Sequence, residues 1–109
     1  MSTTREILGI MRSASGPNVN GVRLSRAYGR RRYFLSVGDN QTYVGHVAMY
    51  DATKRELWTR PADEPHRDVD MINAVRPALV ALQAVQRMHG TPRTDLGTSA
   101  PERLPYVIA

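Results

Sequence analysis

Two hydrophobic periods divide this chain, and together they set its fold class. From residue 22 to residue 60, apolar and polar side chains alternate with period two; from residue 68 to residue 88, apolar residues recur every three or four positions. The first pattern puts alternate side chains on opposite faces of a strand, and the second lines one face of a helix. In the first segment Val22, Leu24 and Tyr28 alternate with Arg23, Ser25 and Ala27. Tyr33, Leu35 and Val37 alternate with Arg32, Phe34 and Ser36; Tyr43, Val47 and Met49 alternate with Val44, His46 and Ala48. The joints carry hairpin chemistry at Gly29, at Gly38-Asp39-Asn40 and at Asp51-Ala52-Thr53-Lys54. Glu56–Thr59 reads as a fourth, short strand ended by Pro61.

In the second segment Val69, Ile72, Val75, Leu79, Leu82 and Val85 trace one helix face. Asp68 or Asp70 suits its N-cap, Arg87 and His89 suit its C-terminal dipole, and Gly90 stops it. Pro77 falls inside this helix and predicts a kink. A shorter helix is expected over 3–12, capped by Thr3 or Thr4 with Glu6 at capping-box spacing. Its stripe is Ile7, Leu8, Ile10 and Met11. Residues 90–105 turn polar and proline-rich, yet the chain ends Tyr106-Val107-Ile108-Ala109. Such an apolar end is expected to dock on its own domain or on a second copy.

The expected fold is α+β: a short N-terminal helix, an antiparallel meander of three to four strands, a long C-terminal helix on one sheet face, and an extended tail. One domain would cover 1–90, with 91–109 an extended or partly disordered tail. The outline resembles that of double-stranded-RNA-binding domains and other small meander-plus-helix nucleic-acid binders. The last helix begins acidic rather than Lys-rich, no motif of those families is present, and the chain is assigned to none.

At 109 residues there is no room for a separate cofactor domain. Cysteine is absent, which removes disulfides, thiolate metal sites and a cysteine nucleophile. Gly16 and Gly21 lack the Lys-Ser/Thr that a phosphate-binding P-loop needs after them, and no Gly-x-Ser-x-Gly elbow occurs. No apolar run approaches a membrane span, and Met1–Glu6 lacks a signal-peptide core, so no membrane contact and a cytoplasmic location are expected. Nothing points to a cofactor, and a non-catalytic role is expected.

Charge is the remaining signal. The net charge is +5, and 14 of the 15 basic residues are Arg, a bias that a GC-rich genome also produces. Position is more telling. Residues 1–55 hold nine basic groups against three acids, whereas residues 56–109 hold six against seven. The turn Arg30-Arg31-Arg32, flanked by Tyr33 and Phe34 and extended by Arg23 and Arg26, is the candidate nucleic-acid interface. Arg pairs bidentately with phosphate, and aromatics stack on bases. The alternatives are that the Arg stems merely cover sheet surface with solvated heads, or that the patch meets an acidic protein surface.

The acids Asp63, Glu64, Asp68 and Asp70 around His66 match no calcium-loop spacing, so no metal is expected. His46, His66 and His89 are each explained by local surroundings. Of Leu57 and Trp58 one must face out: Trp58 either fills the core under the long helix or anchors a partner. Trp58, Tyr106, Val107 and Ile108 are therefore the candidate partner or self-association residues, with a homodimer formed through a sheet edge or the C-terminal tail. Two functions follow. The first is a small basic nucleic-acid-binding protein using the Arg-rich hairpin. The second is a protein-interaction module, a small inhibitor or adaptor of the kind that phages and mobile elements encode.

Overall fold

A computed structural model describes residues 3–15, 21–27, 29, 31–38, 43–60, 69–92 and 105–109. Chain order is α1 (Thr3–Ala14), β1 (Val22–Arg26), β2 (Arg32–Gly38), β3 (Tyr43–Asp51), β4 (Glu56–Thr59), α2 (Val69–His89), β5 (Gly90–Pro92) and β6 (Tyr106–Ile108). The fold is α+β, as the two hydrophobic periods require. All strands join one antiparallel sheet in the order β1-β2-β3-β4-β6-β5.

Six strands replace the expected three to four. The two additions are three residues long, too short for period two to register, and they come from the segment expected to be a tail. Tyr106–Ile108 lies between β4 and β5, with Glu56 opposite Val107 and Gly90 opposite Ile108. Ile108 N donates to Arg55 O at 2.7 Å and Ala109 N to His89 O at 2.8 Å. The apolar end thus pairs within its own chain, and both backbone edges of β6 are engaged there.

Both helices pack on one sheet face. Ile7, Leu8 and Met11 of α1 and Val75, Leu79, Leu82 and Val85 of α2 meet Leu35, Val37, Tyr50, Leu57 and Ile108. Neither Thr3 nor Thr4 precedes α1 as a cap. Both lie inside it, and the Thr4 hydroxyl shares a 2.6 Å hydrogen bond with the Tyr50 hydroxyl, pinning α1 to β3. Helix α2 runs continuously past Pro77, whose missing N–H costs the helix a backbone bond; six buried apolar side chains among the described residues, from Ile72 to Val85, offset that loss. Asp68 lies outside the described residues, as do the side chains of Val69 and Asp70. Polar contacts lock α2 to the end of β4: Gln86 Nε2 donates to Leu57 O at 3.0 Å, Thr59 Oγ1 to Gln86 Oε1 at 3.3 Å, and Gln83 Nε2 to Arg60 O at 3.0 Å. Between the helices runs a groove of about 640 Å³ lined by small side chains, among them Gly9, Ser13, Ala74, Ala78 and Ala81.

The alternation expected for β3 fails where the β2–β3 register shifts, between Leu35 and Ser36 and again between Val37 and Gly38. Leu35 faces Ala48 but Ser36 faces His46, so Val47 is an extra residue, a β-bulge. Val47 and Ala48 are both fully buried, and Met49 shares the opposite face with His46 instead of joining Val47. Gly45, at φ 107°, supplies the backbone freedom this irregular stretch needs.

Candidate nucleic-acid interface

Register sorts the candidate residues by face. Val22 and Leu24 of β1 pair with Val37 and Leu35 on the helix side, so Arg23 and Ser25 point away from the helices with Ser36 and Phe34. The helix-free face then continues through Met49 and Trp58, because Phe34 is opposite Met49 and Met49 is opposite Trp58. Three large half-buried side chains from three adjacent strands thus form one row. Strands lie about 4.8 Å apart, so the row is roughly 10 Å long.

This settles the Leu57–Trp58 alternative. Leu57 is fully buried under α2, and Trp58 faces the other way. A tryptophan filling the core beneath the long helix is therefore corrected: Leu57, whose carbonyl Gln86 holds, occupies that place.

One row towards β1's N-terminal end lie Arg23, Ser36 and His46. Ser36 Oγ and His46 Nδ1 are 2.7 Å apart, and the imidazole is tilted at 34° against the Phe34 ring with centroids 4.8 Å apart. A serine–histidine contact invites a hydrolase reading, but it needs a group orienting the second ring nitrogen and donors for an oxyanion. Neither the groove between the helices nor the cavity described below includes His46. The contact with Ser36 fixes the imidazole in its tilted position beside the Phe34 ring. Arg60 Nε reaches the same edge and donates to His46 O at 3.2 Å.

One row in the other direction lies Arg32, opposite Asp51, which is in turn opposite Glu56. Arg32 Nη2 and Asp51 Oδ2 are 3.4 Å apart, an ion pair at the long end of hydrogen-bonding distance. Asp51 Oδ1 accepts from Thr53 N and Lys54 N, both at 3.0 Å, which ties the β3–β4 turn. Arg55 completes that turn at φ 56°. The Lys54 amide above all, with the Thr53 amide and Arg32, holds the Asp51 carboxyl below its ordinary range against the opposing effect of burial.

The expected Arg patch therefore divides. Arg23, Arg32 and Phe34 share the helix-free face. Arg26 and Tyr33 belong to the helix side, where the guanidinium stands 5.6 Å from the Tyr33 ring centroid and Tyr33 packs against the core. Adjacent residues on a strand point to opposite faces, so Tyr33 and Phe34 cannot serve one flat ligand. Arg31 is exposed in the β1–β2 turn, and Arg30 lies outside the described residues. Sequence reasoning missed Met49 as a site residue because the bulge that turns it outwards has no signature beyond Gly45.

The acidic loop carrying Asp63, Glu64, His66 and Asp68 lies outside the described residues. Among the described residues no three metal-capable side chains cluster, and no helix is long and apolar enough to cross a membrane. Comparison with family models, with curated proteins and with solved structures gives no match to this chain.

Proposed function

We propose that this chain is a non-catalytic nucleic-acid-binding protein that takes a single strand across its helix-free sheet face. The observation that carries the reading is the in-register row Phe34–Met49–Trp58 with Arg23 and Arg32 on the rows either side. The rings of Phe34 and Trp58 can each stack on a base, with Met49 as the apolar surface between them, and the backbone beside them needs cations; each stacked base contributes roughly 1–3 kcal/mol. The +6 charge of residues 1–55 supports the same reading, since phosphate contacts supply most of the non-specific affinity. The Arg-rich hairpin keeps a part in this reading through Arg23, Arg31 and Arg32, whereas Arg26 and Tyr33 serve the fold.

Trp58 is the only tryptophan, so its fluorescence reports directly on the row. Labelled single-stranded DNA and RNA of random sequence, titrated across a salt series, should quench it. The log–log salt slope should be about −0.7 per phosphate engaged. Phe34→Ala should weaken binding about tenfold or more. Absence of binding at low salt, or binding with Trp58 emission and the Phe34→Ala affinity both unchanged, would refute the reading. Capture of an acidic protein that survives nuclease treatment would then favour the interaction-module function.

A further inference from the structure

At the end of the sheet where the β1–β2 and β3–β4 turns meet, a cavity of about 310 Å³ is lined by Gly29, Arg31, Arg32, Asp51, Thr53 and Lys54. We infer that this cavity is a phosphate-binding site. The inference rests on the nucleic-acid reading only for the source of the phosphate; the site stands on its own residues.

Three cations face one carboxylate, a local excess of two positive charges. Arg31 and Lys54 are exposed and form no ion pair among the described residues. The two turns that carry them are held together: Ala52 N donates to Arg31 O at 2.8 Å, and Ala27 N to Arg32 O at 2.9 Å closes the first turn. The cations are therefore presented by anchored backbone. A second observation points to a ligand. Arg32 Nε is buried with no acceptor, and its guanidinium reaches Asp51 only at 3.4 Å. That guanidinium holds donor capacity its protein surroundings do not use, and a small turn towards an anion in the cavity would satisfy it. Buried donors are otherwise almost always paired.

Asp51 explains why the site prefers a strongly charged tetrahedral anion to a weak one. Its Oδ1 already occupies the turn amides of Thr53 and Lys54, as a bound anion would elsewhere, and its Oδ2 competes for Arg32. A ligand must take Arg32 from that carboxylate while adding Arg31, Lys54 and the Thr53 hydroxyl. Phosphate, with several acceptor oxygens and up to two charges, can do this; a monovalent, weakly accepting anion cannot. Along β2 the cavity is one same-face step, about 7 Å, from Phe34. A nucleic-acid phosphate bound here would belong to a nucleotide next to the stacked row.

The test follows backbone amide shifts by NMR while inorganic phosphate is titrated into the intact chain, with chloride at matched ionic strength as control. The amides of Arg31, Thr53 and Lys54 should move together and saturate with phosphate. The double variant Arg31→Ala/Lys54→Ala, both positions exposed, should fold normally and bind about tenfold more weakly. Asp51→Asn should bind about fivefold more tightly, whereas Glu6→Gln, which removes the same charge from α1 outside the cavity lining, should change the affinity far less. Unsaturated or scattered shifts, or a double variant with unchanged affinity, would overturn the site. Equal tightening by Asp51→Asn and Glu6→Gln would do the same, because the effect would then be one of net charge. Oligonucleotides with and without a 5′-phosphate form the second arm. Phosphate binding without oligonucleotide binding keeps this site and refutes the single-strand reading; oligonucleotide binding that ignores both phosphate and the double variant does the reverse.

Discussion

Asp51 is the residue on which the turn, the ion pair and the cavity all depend, so its replacement is the sharpest test of the energetics. In Asp51→Ala, the amides of Thr53 and Lys54 lose their acceptor and Arg32 loses its counter-charge. Hydrogen bonds to a charged group contribute about 1.5–3 kcal/mol each when buried. Here the two turn residues are exposed, so their freed amides rehydrate. The Arg32 contact at 3.4 Å is long, and exposed pairs contribute under about 1 kcal/mol. The expected loss is therefore about 2 kcal/mol, or a fall in Tm of roughly 8 °C for a domain of this size. Asp51→Asn keeps a carbonyl for the turn amides and should lose about half as much. The pH dependence separates the charge from the shape. The folded-state pKa lies below the ordinary 3.8, so the carboxylate's contribution is fully present above that value. It is lost as pH falls through the lower, folded-state value. Urea unfolding of the natural chain and of Asp51→Asn should show a constant gap from neutral pH down to about pH 5, closing only below about pH 4. A gap unchanged at pH 3, or an Asp51→Ala variant as stable as the natural chain at pH 7, would show that the carboxylate does not hold the turn.

Two glycines, Gly9 within α1 and Gly90 at the start of β5, respond oppositely to the same substitution. A Cβ at Gly9 meets nothing within 4 Å, so Gly9→Ala should stabilise by about 0.5–1 kcal/mol through helix propensity. A Cβ at Gly90 meets Gln86 O at 2.7 Å and Ile108 Cδ1 at 3.1 Å, so Gly90→Ala should destabilise by about 1–3 kcal/mol; thermal melts of the pair decide both. Ile108, 2% exposed, should lose about 3 kcal/mol as Ile108→Ala, a value that a loose tail would not give and that urea titration measures directly.

How far the sequence determined this outcome varies by element. The long helix and β4 were legible almost to the residue, because a stripe such as Val75–Leu79–Leu82 and the Glu56–Thr59 run bounded by a turn and Pro61 are strong local signals. Helix α1 was legible in its stripe and in its start at Thr3, but not in its cap, since Thr4 lies inside the helix and bonds a tyrosine 46 residues away, nor in its end, which runs two residues further to Ala14. Strands β5 and β6 were not legible: Gly-Thr-Pro and Tyr-Val-Ile become strands only by completing a ladder that already exists. The candidate site was half legible. Arg23 and Phe34 could be assigned to one face by counting twos along each strand. Met49 could not, because the bulge at Val47 shifts the count, and the Arg32–Asp51 pairing needs the register of two strands. Local pattern yields the faces; only tertiary register joins them into a row.

The insertion of β6 has a kinetic consequence. Its partner Glu56 is about fifty residues earlier in the chain, so this is the pairing of longest sequence separation in the sheet and the one expected to form last. The β1–β4 meander and both helices can assemble first, leaving a slot between β4 and β5 that three residues close. Withdrawing those residues breaks only their own contacts, and the slot then accepts Tyr106–Ile108 from another copy with identical register. Such an exchange gains and loses the same hydrogen bonds, so its extent is set by protein concentration. Concentrated refolding should therefore trap strand-swapped pairs that dissociate on dilution only as fast as β6 can leave its slot.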